Sequence, residues 1–189
     1  MLKRALDGVL SEKESEELYS AFDQIGDIVV VRIPESLMSR KKIIGETLLD
    51  EIKPARSVYY QSSDVRGDYR TRDLELLAGE DNTQTEYKEY GCRFLVDVEK
   101  AFFFFILLNE RERIVNIATD GEVIINMYAG EGMFSIMAAK KTKCEVYSVD
   151  INPVASELCE KNIMLNKLAG KVISINGDAS KVVADKLQN

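Results

Sequence analysis

Two glycines and two aspartates stand where they could build a cofactor site. Gly130 and Gly132 close an apolar run, Val123-Ile124-Ile125-Asn126-Met127-Tyr128-Ala129. Asp150 and Asp178 follow two more, Val146-Tyr147-Ser148-Val149 and Val172-Ile173-Ser174-Ile175. The pattern predicts a buried strand, a glycine turn and a helix, then two strands that each end near an acid. Glycine at such a turn removes the Cβ where a backbone must come close to a ligand. Asp150 comes about 20 residues after the turn, the spacing of an acid that takes ribose hydroxyls. The run Ala129-Gly130-Glu131-Gly132 lacks the third glycine of the dinucleotide fingerprint, because Ser135 occupies that place. Glu131 also opposes a polyanion at the helix N-terminus. A cofactor with a ribose and no phosphate, such as S-adenosylmethionine, suits these residues better. The competing reading is an ordinary βα turn that happens to use glycine, and the two acids weigh against it.

The rest of the composition narrows the chemistry. With no histidine in 189 residues, a general base must be a carboxylate, tyrosine, lysine or cysteine. Cys92, Cys144 and Cys159 have no paired spacing, so neither a zinc site nor a disulfide framework is expected, and no metal. No run reaches the roughly 18–20 apolar residues of a membrane span, and Met1-Leu2-Lys3-Arg4-Ala5-Leu6-Asp7 has no signal-peptide core; a cytoplasmic protein is expected. The net charge of −7 counts mildly against non-specific binding of nucleic acid. Arg56, Arg66, Arg70 and Arg72 nevertheless surround Gly67, with Tyr59, Tyr60 and Tyr69 nearby, a mixture that can hold phosphates and stack on bases. Asp64, Asp68 and Asp73 offset those charges, and on these residues alone a solvated loop is the preferred reading.

The elements that must position these residues fall into two groups. Leu2 to Leu18 is expected as a helix, with Ser11 and Glu14 as a capping box. Phe22 to Asp27 reads as a turn, Ile28 to Ile33 as a strand and Ser36 to Leu49 as a helix. From Ser57 to Val98 come short strands, at Val58–Tyr60, Leu74–Ala78, Thr83–Tyr87 and Arg93–Asp97, predicted to form one antiparallel sheet with a wet face. Glu110 to Ala118 is a charged helix or connector. The fold class is therefore α/β: an N-terminal α+β domain with antiparallel strands at residues 1–105, then an incomplete Rossmann-like domain at 106–189. Three strands are few for such a sheet, and a piece of a longer protein is the favoured expectation.

Several ordered motifs resemble the class I tRNA (guanine-N1)-methyltransferases of archaea and eukaryotes, which methylate the guanosine 3′ of the anticodon and have relatives in wyosine biosynthesis. The motifs are Phe22-Asp23-Gln24-Ile25-Gly26-Asp27, Gly67-Asp68-Tyr69-Arg70-Thr71-Arg72, Leu77-Ala78-Gly79-Glu80, Val96-Asp97-Val98-Glu99-Lys100, Glu110-Arg111, Tyr128-Ala129-Gly130-Glu131-Gly132, Asp150-Ile151-Asn152-Pro153 and Gly177-Asp178-Ala179. The resemblance implies S-adenosylmethionine as cofactor. Tyr128, Ala129, Gly130 and Gly132 would line it, Asp150 and Ile151 would take ribose and adenine, Asp178 and Ala179 the adenine edge, and Arg111 would contact it. It implies Glu110 as general base, Arg70 steadying the guanine, and a monomer acting on the tRNA anticodon stem-loop. The chain departs from the family in three ways. Phe102-Phe103-Phe104-Phe105-Ile106 replaces a Tyr-Phe-Ser-Pro-Arg segment. No Asn-Leu-Pro segment follows within the sequence. Residues 1–19 are shorter than the N-terminal domain that many relatives carry. A catalytically impaired RNA- or cofactor-binding remnant is the alternative.

Overall fold

Four consecutive β-branched residues organise the first half of the protein. The computed structural model describes residues 5–19, 22–103 and 108–186. Leu2, Lys3 and Arg4 of the expected first helix, Phe104, Phe105 and Ile106 of the aromatic run, and Leu187-Gln188-Asn189 lie outside the described residues. Ile28-Val29-Val30-Val31 form β2 (Ile28–Val31), with every side chain buried. It pairs antiparallel with β1 (Phe22–Ile25) and parallel with β3 (Ser57–Gln61), which pairs antiparallel with β4 (Leu74–Gly79). The parallel pair needs a crossover, supplied by a 3-10 helix at Glu35–Arg40 and α2 (Lys41–Glu51). Ile44 and Leu48 of α2 join Val29, Val31, Val58 and Leu77 in the core. A Cβ on Gly45 would stand 2.3 Å from Leu77 Cβ, so glycine lets the helix sit close on β4.

Three expectations change here. Phe22–Ile25 is a strand, not a turn, because its backbone pairs with β2 from Phe22↔Val31 to Ile25↔Ile28, whatever the weak strand preference of Asp23 and Gln24. Among the described residues the expected long first helix is interrupted, and its later part is α1 (Glu12–Glu17). Residues 6–10 turn through Gly8 at φ 77°, and Ser11 and Glu14 then make the expected capping box. The short strands do not form one sheet: β3 and β4 belong to the mixed four-stranded sheet, while β5 (Gln84–Glu89) and β6 (Cys92–Asp97) form a separate pair. A two-residue link, Tyr90-Gly91, joins that pair with both residues left-handed (φ 46° and 70°), the geometry that suits a hairpin's twist.

The second half is parallel. β7 (Val123–Asn126), β8 (Glu145–Asp150) and β9 (Lys171–Asn176) pair in that order. The described helices of this half are α3 (Leu108–Ile117), α4 (Met133–Lys141), α5 (Pro153–Leu165) and α6 (Ala179–Lys186). Pro153 suits the first turn of α5, and Asn152 caps it by accepting from Val154 N. Asp150 lies opposite Asn176, so the strands deliver the glycine turn, Asp150 and Asp178 to their common C-terminal edge, where ligands bind in open α/β sheets.

The chain divides into two compact units, one of Met1–Arg66 with Arg72–Thr85, the other of Gly67–Thr71 with Glu86–Asn189. The division falls twenty residues before the boundary expected near 105. Its cause lies in α5. The Asn162 side chain bonds both N and O of Leu95, and the Asn166 side chain both N and O of Arg93, which ties β6 to the parallel sheet's helices. Among the described residues no helix is long and apolar enough to cross a membrane.

Candidate functional site

A cavity of about 590 Å³ opens at the C-terminal edge of the parallel strands, and every described residue that lines it belongs to the second unit. The volume lies within the range of small-molecule sites. The glycine turn forms one part of its wall. Gly130 N donates to Asp150 Oδ2 at 2.6 Å, and Ala129 N donates to Val149 O at 3.0 Å. The two glycines differ in purpose. Gly130, at φ 54°, lines the cavity. Gly132, at φ 84°, is outside the lining: a Cβ there would come within 2.4 Å of Cys159 Sγ, so this glycine lets the turn pack on α5. Ser135, in the place of a third glycine, is buried and receives the Asn126 side-chain N–H at 3.1 Å and the Ser148 hydroxyl.

The expected cofactor acids are placed as the spacing implies. Asp150 accepts Asn152 N at 2.9 Å on Oδ1 as well as Gly130 N on Oδ2; a carboxylate has about four acceptor positions, so ribose hydroxyls can still bond to it. Asp178 accepts the Ser180 hydroxyl at 2.6 Å and its N–H at 2.9 Å, and these bonds hold its carboxyl below the usual range. Tyr128, Ala129, Ile151 and Ala179 line the same cavity, and Tyr128 is largely exposed.

Arg70 also lines it, carried in by Asp68 and Tyr69. Its backbone is left-handed at φ 54°, and its N–H closes a turn on Gly67 O at 3.2 Å. Such a conformation is uncommon for a long side chain and is often held at functional sites. Arg111 lines the cavity while almost fully buried. Glu110, its neighbour on α3, does not. Its side chain is 55% exposed and accepts from Arg113 Nε at 2.9 Å.

The sequence marks Glu131 as an acid at the turn, and the structure adds that it faces inward. It is buried, accepts Asp97 N at 2.9 Å, and its carbonyl accepts from Asn162 Nδ2 at 3.0 Å. Burial, with smaller pushes from Asp97 and Asp150 and against the Asp97 N–H bond, raises its carboxyl to about 8. The bonds then continue in a ring. Lys100 N donates to Asp97 Oδ1, Asn152 Nδ2 donates to Lys100 O, and Asn152 N returns to Asp150. The ring fixes the segment that leads to Phe102 and Phe103, both in the cavity wall. Sequence reasoning also missed Glu89 and Asn162, whose partners are 22 and 67 residues away; no local spacing marks them.

Residues 85–189 match the TRM5/TYW2 methyltransferase domain, and residues 2–83 the TYW2 N-terminal domain. The chain is 42% identical over 165 residues to the tRNA (guanine(37)-N(1))-methyltransferase Trm5b of Pyrococcus abyssi, covering 87% of this chain and 49% of that protein. It is similar in structure to aTrm5 in its complex with tRNALeu, with a TM-score of 0.83 at 38% identity over 94% of this chain and 53% of that one. It is similar also to Methanocaldococcus jannaschii Trm5 in complex with adenosine, with a TM-score of 0.77 at 37% identity over 94% and 52%. The chain thus spans about half the length of the curated relatives it matches.

Proposed function

Since the chain belongs to the TRM5/TYW2 methyltransferase family, we propose that it serves S-adenosylmethionine-dependent methylation of tRNA at N1 of the guanosine 3′ of the anticodon. The observation that carries this reading is one cavity holding both the glycine turn with Asp150 and Asp178 and the distant Asp68-Tyr69-Arg70 loop. The lining suits the cofactor. Aromatic and aliphatic side chains, four acids and two arginines favour a ribose-bearing cation over a polyphosphate. When bound, S-adenosylmethionine supplies a methyl group on a positively charged sulfur.

Asp150 would take the ribose hydroxyls, Ile151, Asp178 and Ala179 the adenine, and Arg111 the remainder of the cofactor. Arg70 would stabilise negative charge that gathers on the guanine carbonyl as N1 loses its proton. The proton acceptor of this reading is Glu110, which must exchange its pair with Arg113 for the substrate; catalytic hydrogen bonds often form only in the complex. The partner is the tRNA anticodon stem-loop, and the site of action the cytoplasm. Similarity to the tRNA 4-demethylwyosine(37)-methyltransferase Taw21 of Saccharolobus solfataricus, 34% identical over 171 residues, supports a second substrate, a wyosine-type base at the same tRNA position.

Calorimetry with S-adenosylmethionine tests the cofactor half. The folded chain should bind, and Asp150→Ala should weaken binding by at least about tenfold, the worth of a pair of charge-assisted hydrogen bonds. Absence of heat with a folded wild-type sample sinks the reading. For the RNA half, Arg70→Ala should lower transfer to an anticodon stem-loop by about a hundredfold while cofactor affinity stays unchanged.

A further inference from the structure

The pair Arg111–Glu89 is the most deeply buried ion pair among the described residues, with side chains 2% and 3% exposed. Arg111 Nε donates to Glu89 Oε1 at 2.8 Å and Nη2 to Oε2 at 2.9 Å. Two parallel bonds of this kind fix the plane of a guanidinium as well as its place. Glu89 does not line the cavity, whereas Arg111 does; the carboxylate stands behind the arginine.

The carboxylate is itself held on a rigid mount. Glu89 ends β5, directly before the Tyr90-Gly91 turn. The Tyr90 hydroxyl donates to Glu112 at 3.0 Å on α3, and Lys140 Nζ on α4 donates to Gly91 O. The hairpin tip is therefore fastened to both helices. Arg111 also stands over the Phe134 ring, with its guanidinium carbon 5.9 Å from the centroid. Phe134 is the second residue of α4 and lines the cavity. The positive end of the α4 helix thus lies beside Arg111, while Asp150 and Asp178 mark the nucleoside end of the cavity. A cation beside a helix N-terminus suits a carboxylate.

We propose that Glu89 is a positioning residue for the cofactor: it holds the Arg111 guanidinium in the cavity wall so that Arg111 receives the carboxylate of the cofactor's amino-acid arm. This rests on the reading that the cavity takes S-adenosylmethionine. Without Glu89, Arg111 keeps its charge and loses the two bonds that set its plane on that side.

The test compares two ligands on the 189-residue chain by calorimetry. S-adenosylhomocysteine carries the amino-acid carboxylate; methylthioadenosine has the same nucleoside and sulfur without it. Glu89→Gln should weaken the first by about tenfold and the second by less than about twofold. Glu89→Asp keeps the charge balance, and so the fold, but draws the carboxylate back by one methylene. It should weaken S-adenosylhomocysteine by about threefold and spare methylthioadenosine. If Glu89→Gln does not fold, Glu89→Asp carries the test alone. Equal loss for both ligands, or no loss for S-adenosylhomocysteine, overturns the role of Glu89 while the cofactor reading stands. A folded wild type that binds neither ligand overturns both.

Discussion

β2 and β7 are both four-residue apolar strands, Ile-Val-Val-Val and Val-Ile-Ile-Asn, and their surroundings are opposite. β2 lies between β1 and β3, and its side chains are 0–3% exposed. β7 has one partner, β8, among the described strands, and Val123 and Ile125 are 66% and 38% exposed. Burial follows neighbours, not the apolar run itself. The two sheets also differ in what they enclose. The core around β2 is made of aliphatic side chains. Beside the parallel strands the buried set includes Glu89, Asp97, Arg111, Glu131, Ser135 and Asn162. One sheet spends its interior on cohesion, and the other holds charges in fixed places.

The largest test of this contrast is Glu131→Gln. The unfolded carboxyl ionises near 4.5 and the folded one near 8. A raised acid contributes its full stability below the unfolded value and loses it as pH rises through the folded value. Urea unfolding of the wild type against Glu131→Gln should therefore show the glutamine variant gaining relative stability between about pH 4.5 and 8 and levelling off above. The gain is at most about 5 kcal/mol, since each unit is worth about 1.4 kcal/mol. A difference that does not vary with pH would mean that the buried carboxyl titrates normally. Next in size is Ile28→Ala. It opens a cavity under β2 and should cost about 2–5 kcal/mol of the first unit's stability by the same measurement. The matching change on the open strand, Ile125→Ala, should cost less than about 1 kcal/mol, because much of the side chain is already in water. Equal costs at Ile28 and Ile125 would break the comparison.

What the sequence revealed tracks the range of the interaction. The glycine turn, Asp150, Asp178 and the Ser11 capping box rest on spacings of a few residues to about one βαβ unit, and all are found in place. Arg70 was legible in its motif, though its φ was not. Phe22–Ile25 was hidden because Asp23 and Gln24 interrupt the pattern and only pairing with β2 makes it a strand. The separate β5–β6 pair was hidden because the contacts that draw it away come from Asn162 and Asn166, far along the chain. The burial of Glu131 was hidden for the same reason: its partner, Asp97 N, is 34 residues away. Glu110 came from a motif that fixes its position in sequence and says nothing of where the side chain points.

The Asn162 and Asn166 clasps have a bearing on solubility. A two-stranded hairpin is marginal alone, and its outer edge is an invitation to pair with another chain. Each asparagine side chain offers β6 an acceptor and a donor, at Leu95 and again at Arg93, as a neighbouring strand would. A helix thus stands in for a third strand and caps that edge. Polymerisation through β6 would first have to strip two amides from α5, one of them fully buried, so the hairpin that presents Glu89 is shielded from intermolecular pairing by the helix that supports the glycine turn.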